Sequence, residues 1–122
     1  MDRAYSRDAV QRRRDQRRQT LEAELNRITA ILAAQQTIRR VILFGSLARG
    51  ESGEHSDLDL VVVQETAKPF LDWVGEIQQL LLPRVDVDLL VYTPAEFEEL
   101  ATTREFVRRL RREGKVVYES AA

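Results

Sequence analysis

Cysteine is missing from the 122-residue sequence, which excludes disulfide bonds, thiolate metal sites and a cysteine nucleophile. Long apolar runs are missing too, because none approaches the roughly 20 residues that a bilayer-spanning helix needs. The start of the chain, Met1 to Ser6, lacks the apolar core of a signal peptide. Together these absences predict a soluble, cytoplasmic protein with no membrane partner.

Charge is abundant but nearly balanced. Charged residues make up 32% of the chain and hydrophobic residues 43%, which suits one small domain, and the formal net charge is −1. The first 18 residues depart from this balance, with seven arginines against three aspartates. We interpret this segment as a solvated helix face or a tail, with contact to RNA or an acidic partner as the alternative. The near-neutral net charge argues against nucleic acid as the main partner.

Hydrophobic periodicity predicts an alternation of helices and strands. Leu21, Leu25, Ile28 and Leu32 form one apolar stripe on a helix predicted over residues 8–34. Short apolar runs predict strands over residues 40–44, 58–63 and 85–91, a helix over 69–82, and a small edge strand over 115–119. The predicted fold class is therefore α/β (α+β), a small mixed sheet flanked by helices.

The sequence also indicates where the last helical region begins and ends. Thr93-Pro94-Ala95-Glu96 has the pattern of a capping box with proline in the first turn. The helix should continue to Glu113, with a break near Thr102–Thr103, and Gly114 should cap it.

The first candidate site motif is Phe44-Gly45-Ser46-Leu47-Ala48-Arg49-Gly50, directly after a predicted buried strand. Gly45 allows a ligand to approach the backbone closely, and Ser46 would stand at the start of a short helix, where free N–H groups attract phosphate. Arg49 adds a guanidinium that can bind phosphate oxygens. The same letters also occur in ordinary tight turns, so this motif alone identifies no function.

The second and third motifs are acidic. Asp57 and Asp59 are two residues apart at a predicted strand, so both carboxylates face one side, and a divalent cation between them would relieve their repulsion. Asp86 and Asp88 repeat this spacing at the next strand. They share a face, so spacing alone cannot decide which of them joins the first pair. A phosphate-binding turn with three such acids is what two-metal phosphoryl chemistry requires.

These residues resemble the nucleotidyltransferase superfamily related to DNA polymerase beta, and more closely its minimal, MNT-type domain. The family pattern is filled by Phe44-Gly45-Ser46, Asp57-Leu58-Asp59-Leu60 and Val85-Asp86-Val87. The resemblance divides the chain into an arginine-rich extension, residues 1–20, and a minimal nucleotidyltransferase domain, residues 21–122.

The resemblance implies a palm-like mixed sheet, two Mg²⁺ ions, and transfer of a nucleoside monophosphate, such as AMP from ATP, to a hydroxyl. Gly45 and Ser46 would hold the nucleotide phosphates, with Arg49 as a further contact. Asp57 and Asp59 would be catalytic ligands of both metals. In polymerase-beta-like relatives the third acid follows an Arg/Lys-Val pair, which favours Asp86 over Asp88 as the remaining catalytic and metal-binding carboxylate.

The resemblance also suggests how the acceptor is held. Larger relatives bind it with an extra domain, for which this chain has no room, so we expect a dimer mate or a partner protein to do so. Minimal members are often paired with a HEPN-type toxin, on which the transferase acts as antitoxin by adenylylating a tyrosine. The alternative is a non-catalytic module that neutralises such a partner by contact. Three retained carboxylates favour the enzyme.

Overall fold

The computed structural model describes residues 6–68 and 70–121, and its elements follow the predicted order. They are α1 (Arg7–Ala33), β1 (Ile38–Phe44), α2 (Gly45–Ala48), β2 (Leu58–Gln64), α3 (Phe70–Leu81), β3 (Val87–Tyr92), α4 (Pro94–Thr103), α5 (Glu105–Glu113) and β4 (Lys115–Glu119). The predicted helix start at Pro69 lies outside the described residues. The predicted start of β3 at Val85 is wrong, because the strand begins at Val87.

The capping signals of the last helical region are confirmed. The Thr93 hydroxyl accepts the backbone N–H of Glu96, and the Glu96 carboxylate accepts the backbone N–H of Thr93, which completes the capping box. The helix breaks as predicted, because α4 ends at Thr103 and α5 begins at Glu105. Gly114 caps α5 with extended backbone and donates its N–H to the Leu110 carbonyl.

The four strands form one mixed sheet in the order β3-β2-β1-β4. The β2–β3 pair is parallel, and the β1–β2 and β1–β4 pairs are antiparallel. The register places Asp59 of β2 between Phe44 of β1 on one side and Asp88 of β3 on the other. Three residues therefore lie side by side across the sheet: Phe44, which precedes Gly45, and the two acids Asp59 and Asp88.

Helices cover both faces of the sheet, so the domain has three layers. On one face, the apolar stripe of α1 and the buried residues of α3 pack on alternate strand residues such as Val41, Leu60 and Val62. On the other face, α4 and α5 pack on Ile42, Val61 and Val63. Asp59 alternates with Val61 and Val63, and it therefore lies on the α4–α5 face, at the end of the strand.

Helix α1 is also joined to the chain that leads into β3 by a buried polar cluster. Glu24 is only 4% exposed, and it accepts two hydrogen bonds from Arg27, of 2.6 and 2.9 Å, and one from the Arg84 backbone N–H. The Arg27 hydrogen bond is the main reason that the pKa of Glu24 falls to about 2; burial opposes the shift and the Arg84 N–H supports it. Arg27 also donates to the Leu81 carbonyl at the end of α3.

No helix within residues 6–68 and 70–121 is both long and apolar enough to cross a membrane.

The Glu24 cluster predicts a pH-dependent stability difference. Glu24→Gln should lower the free energy of unfolding at pH 7 by about 2–3 kcal/mol, because a buried charged hydrogen bond is lost. A lowered pKa stabilises the fold fully above the ordinary glutamate value and loses that effect as the pH falls towards 2. In urea unfolding, the difference from wild type should therefore shrink from pH 4.5 downwards. Glu22→Gln, at an exposed position of the same helix, is the control. A difference that stayed constant to pH 2 would contradict the assignment.

Candidate active site

Two carboxyl groups meet where β2 and β3 begin. Asp59 and Asp88 are direct partners in the parallel register, so their side chains lie on the same face of the sheet in adjacent strands. Burial raises the pKa of Asp59 to about 6, with further contributions from the hydrogen bond and charge of Asp88 and the charge of Asp57, while the Arg49 guanidinium acts in the opposite direction. The pair therefore concentrates negative charge that nothing adjacent neutralises fully.

Gly45 brings the turn after β1 against this pair. Its φ of +77° favours glycine, and an added Cβ would lie 2.0 Å from Oδ2 of Asp59. A side chain at this position could not coexist with the Asp59 carboxylate where it stands. Because Gly45 has no side chain, the backbone of the turn can lie in contact with the Asp59 carboxylate.

Ser46 and Ser56 connect the turn to the loop that precedes the acids. The Ser46 hydroxyl donates to the Ser56 hydroxyl at 3.0 Å, and the Gly53 backbone N–H donates to the same Ser56 oxygen at 2.7 Å. Asp57 follows directly in sequence. Sequence spacing does not identify Ser56 as a functional residue, because its role depends on contact with a residue ten positions away.

Arg49 lies at the rim of the turn. Its side chain is half exposed and donates to Glu51 at 3.1 Å, an exposed pair that a ligand could displace at little cost. Beside it, a cavity of about 350 Å³ opens between α2 and α5. Its lining includes Gly45, Phe44, Phe106, Arg109 and Glu113, with the two phenylalanine rings packed edge to face.

Asp57 and Asp86 stand before their strands. Asp57 is 44% exposed on its side chain and forms an ion pair with Arg17 of α1 at 3.5 Å. Arg17 also donates to the Ser56 carbonyl at 2.8 Å. The Asp86 side chain is exposed, and the Asp86 carbonyl accepts the Leu58 N–H at 3.1 Å. The structure thus brings Asp57, Asp59 and Asp88 together electrostatically, whereas Asp86 does not contribute to the pKa shift of Asp59.

Comparison with known proteins identifies the family. Residues 26–121 match the family described as Polymerase beta, Nucleotidyltransferase. The chain belongs to this nucleotidyltransferase family. It is 34% identical over 84 residues to a Methanocaldococcus jannaschii protein named "Putative protein adenylyltransferase", a match that covers 66% of this chain and 79% of the relative. The family, the MNT-type resemblance and the nucleotidyltransferase activity predicted from the motifs are confirmed.

Solved structures support the fold. A crystal structure titled as a putative nucleotidyltransferase from Sulfolobus solfataricus aligns with a TM-score of 0.63 at 17% identity, over 88% of this chain and 87% of the other. The predicted mixed sheet flanked by helices is therefore the fold of a nucleotidyltransferase. A toxin–antitoxin structure with AMP-PNP aligns at a TM-score of only 0.46 and 19% identity, over 79% of this chain and 73% of the other.

The donor chemistry of the nucleotidyltransferase site suits a hard divalent cation. Its acids offer only oxygen atoms, and a cation would offset both the burial and the neighbouring negative charges that raise the pKa of Asp59. Among the residues described, no three histidine, aspartate or glutamate side chains are already grouped closely enough to hold a metal ion. Asp57 is instead engaged by Arg17. The Asp59–Asp88 pair offers oxygen ligands for a cation, and Asp57 could join them, because its 3.5 Å ion pair with Arg17 is long and partly exposed.

The contact between Gly45 and Asp59 predicts different outcomes at two glycines. Gly45→Ala should lower nucleotide transfer about 100-fold, because the new methyl group displaces the Asp59 carboxylate. Gly50 has a similar φ of +72° but no atom within 4 Å of an added Cβ. Gly50→Ala should therefore show only the backbone strain, about 1–2 kcal/mol in urea unfolding, with nearly normal transfer by folded protein. Equal losses of activity in the two variants would refute the proposed contact.

Proposed function

We propose that this nucleotidyltransferase moves AMP from ATP to a hydroxyl group of a partner protein, using divalent metal ions. The observation that carries the proposal is the row formed by the Gly45 turn, Asp59 and Asp88, with Asp57 at its edge. This row pairs a site for phosphate with carboxylates close enough to repel one another. The name of the M. jannaschii relative supports a protein as the acceptor.

Asp88 is our choice for the third carboxylate. The Arg84-Val85-Asp86 pattern favours Asp86, but the register pairs Asp88 with Asp59, and Asp88 contributes to the raised pKa of Asp59. Asp86 lies two residues earlier, outside β3, and since both acids are exposed, the register and not the burial separates them. Asp88 is therefore better placed to accept a proton from an acceptor hydroxyl beside Asp59.

Asp57, Asp59 and Asp88 would hold two Mg²⁺ ions. When bound, such ions lower the pKa of an attacking hydroxyl and stabilise the pyrophosphate that leaves. The chain itself contributes orientation and charge. Gly45 and Ser46 would bind the β- and γ-phosphates, and Arg49 would exchange its exposed bond with Glu51 for a phosphate oxygen.

The cavity beside Gly45 offers room for the nucleoside. Its volume of about 350 Å³ falls in the range of small-molecule pockets, and Phe106, 38% exposed, presents an aromatic surface within it. A base stacked there would place the triphosphate within reach of the turn. Arg109 and Glu113 line the same cavity and can donate to or accept from polar groups of the base.

A HEPN-type toxin is the partner that the MNT resemblance suggests, with this chain as its antitoxin. Incubation with ATP labelled at the α-phosphate, Mg²⁺ and the product of the neighbouring gene should label that product. ATP labelled at the γ-phosphate should not, because AMP and not the terminal phosphate is transferred. The double variant Asp57→Asn with Asp59→Asn should abolish labelling. Neutralisation of the partner without any label from wild type would instead support the non-catalytic module.

The choice between Asp88 and Asp86 is open to direct test. Asp88→Asn should reduce transfer from α-labelled ATP by about 10²–10³-fold, because a carboxylate that contacts the reacting groups is lost. Asp86→Asn, the matched control with the same change two residues earlier, should reduce it by less than about threefold. The reverse ranking would restore Asp86 as the third carboxylate.

A further inference from the structure

The arginine-rich half of α1 contacts the loop that leads into the acids. Arg13 donates to Glu54 at 2.6 Å, and Arg17, one turn later on the same helix face, donates to the Ser56 carbonyl at 2.8 Å. This half of the helix precedes residue 26, where the family match begins. The family match therefore does not cover this contact.

Arg17 differs from the neighbouring arginines in what it binds. Its guanidinium reaches a backbone carbonyl and, at 3.5 Å, the carboxylate of the next residue, Asp57. The longer ion pair is half exposed and contributes little stability by itself. The short bond to Ser56 is the firmer contact, and the side chain of Arg17 is only 26% exposed.

Ser56 is held from three directions. Arg17 binds its carbonyl, while the Ser46 hydroxyl and the Gly53 N–H bind its hydroxyl. The residue before Asp57 is thus fixed to α1, to the proposed phosphate-binding turn and to its own loop. Because the Ser56 carbonyl belongs to the peptide unit that joins it to Asp57, the bond from Arg17 sets the direction in which Asp57 leaves the loop.

We propose that Arg17 is a positioning residue for nucleotide transfer, which aligns Asp57 with Asp59 and with the Ser46 turn by fixing the Ser56 carbonyl. The assignment rests on the proposed function of the site. It makes the arginine-rich start of α1 a working part of the active site. The alternative is that Arg17 only holds α1 against the loop, as the Arg13–Glu54 bond does, without aligning Asp57.

The test compares Arg17→Ala with Arg13→Ala and Arg18→Ala. Arg13 binds the same loop away from Asp57, and Arg18 pairs with Asp15 on its own helix. Transfer kinetics give kcat and KM for ATP. Hydrogen exchange of the amides of residues 53–58, in protein stripped of metal, reports the order of the loop without any reaction. Circular dichroism confirms that each variant folds.

Arg17→Ala should lower kcat by about ten- to a hundredfold with KM changed less than about threefold, since the substrate still binds but Asp57 is misaligned. Exchange at residues 56–58 should speed up about tenfold, because the opening of the loop becomes easier. Arg17→Lys should recover part of the kcat and part of the slow exchange, because an ammonium can donate one hydrogen bond to the Ser56 carbonyl. Arg13→Ala and Arg18→Ala should remain within about threefold of wild type in kcat.

Three results would overturn the proposal. Arg17→Ala could match Arg18→Ala in kcat and exchange, Arg13→Ala could match Arg17→Ala, or kcat could fall with no change in exchange. If wild type transfers no nucleotide to any acceptor, the proposed function fails instead. The exchange data then still decide whether Arg17 orders the residues before Asp57.

Discussion

The parallel pairing of β2 and β3 is the constraint on which the site depends. It sets Asp59 directly opposite Asp88, and hydrogen bonding along the ladder leaves neither residue free to move away. Two carboxylates at neighbouring positions of a sheet repel, and burial together with the neighbouring charges of Asp88 and Asp57 raises the pKa of Asp59 to about 6. A fold that keeps this arrangement gives up stability at neutral pH when no cation is bound. The position of the pair at the start of both strands, where Asp88 is exposed, limits that cost by leaving the groups partly solvated.

Much of this architecture could be predicted from local sequence pattern. Helical spacing identified α1, apolar runs identified the strands, and Thr93 with Glu96 marked the start of α4, because each signal is contained within a few neighbouring residues. The spacing of Asp57 and Asp59 did not show that the face of Asp59 continues with the buried Val61 and Val63, so that β2 is acidic only at its start. The partner of Asp59 in β3 was not predictable in this way. Asp86 and Asp88 are two residues apart and face the same side, so only the register between β2 and β3 decides which of them lies beside Asp59. That register depends on where the chain between the two strands ends.

Helix α1 contacts the residues that lead into both of these strands through bonds that no local pattern reveals. Glu24 binds the Arg84 N–H just before β3, and Arg17, seven residues earlier, binds the Ser56 carbonyl just before β2. Residues seven apart lie on one face of a helix, so a single rigid element holds the entry points of both acid-bearing strands. These bonds span 60 and 39 positions of sequence. Composition suggested a solvated helix face or a tail, with contact to RNA or an acidic partner as the alternative, and it did not reveal that Arg13 and Arg17 contact a loop of the same chain.

The two halves of α1 therefore act by different physical means. The later half buries Leu21, Leu25, Ile28 and Leu32, and such burial supplies most of what holds the helix to the sheet. The earlier half buries no leucine or isoleucine, and its exposed ion pairs are worth about 0–1 kcal/mol each. Once the later half is anchored, extending the same helix costs little, because nucleation has already occurred. The arginine contacts consequently add little to the stability of the domain. They can instead change the direction of the loop that ends at Ser56, directly before Asp57. A small change in the orientation of the Asp57 carboxylate affects a reaction far more than it affects folding.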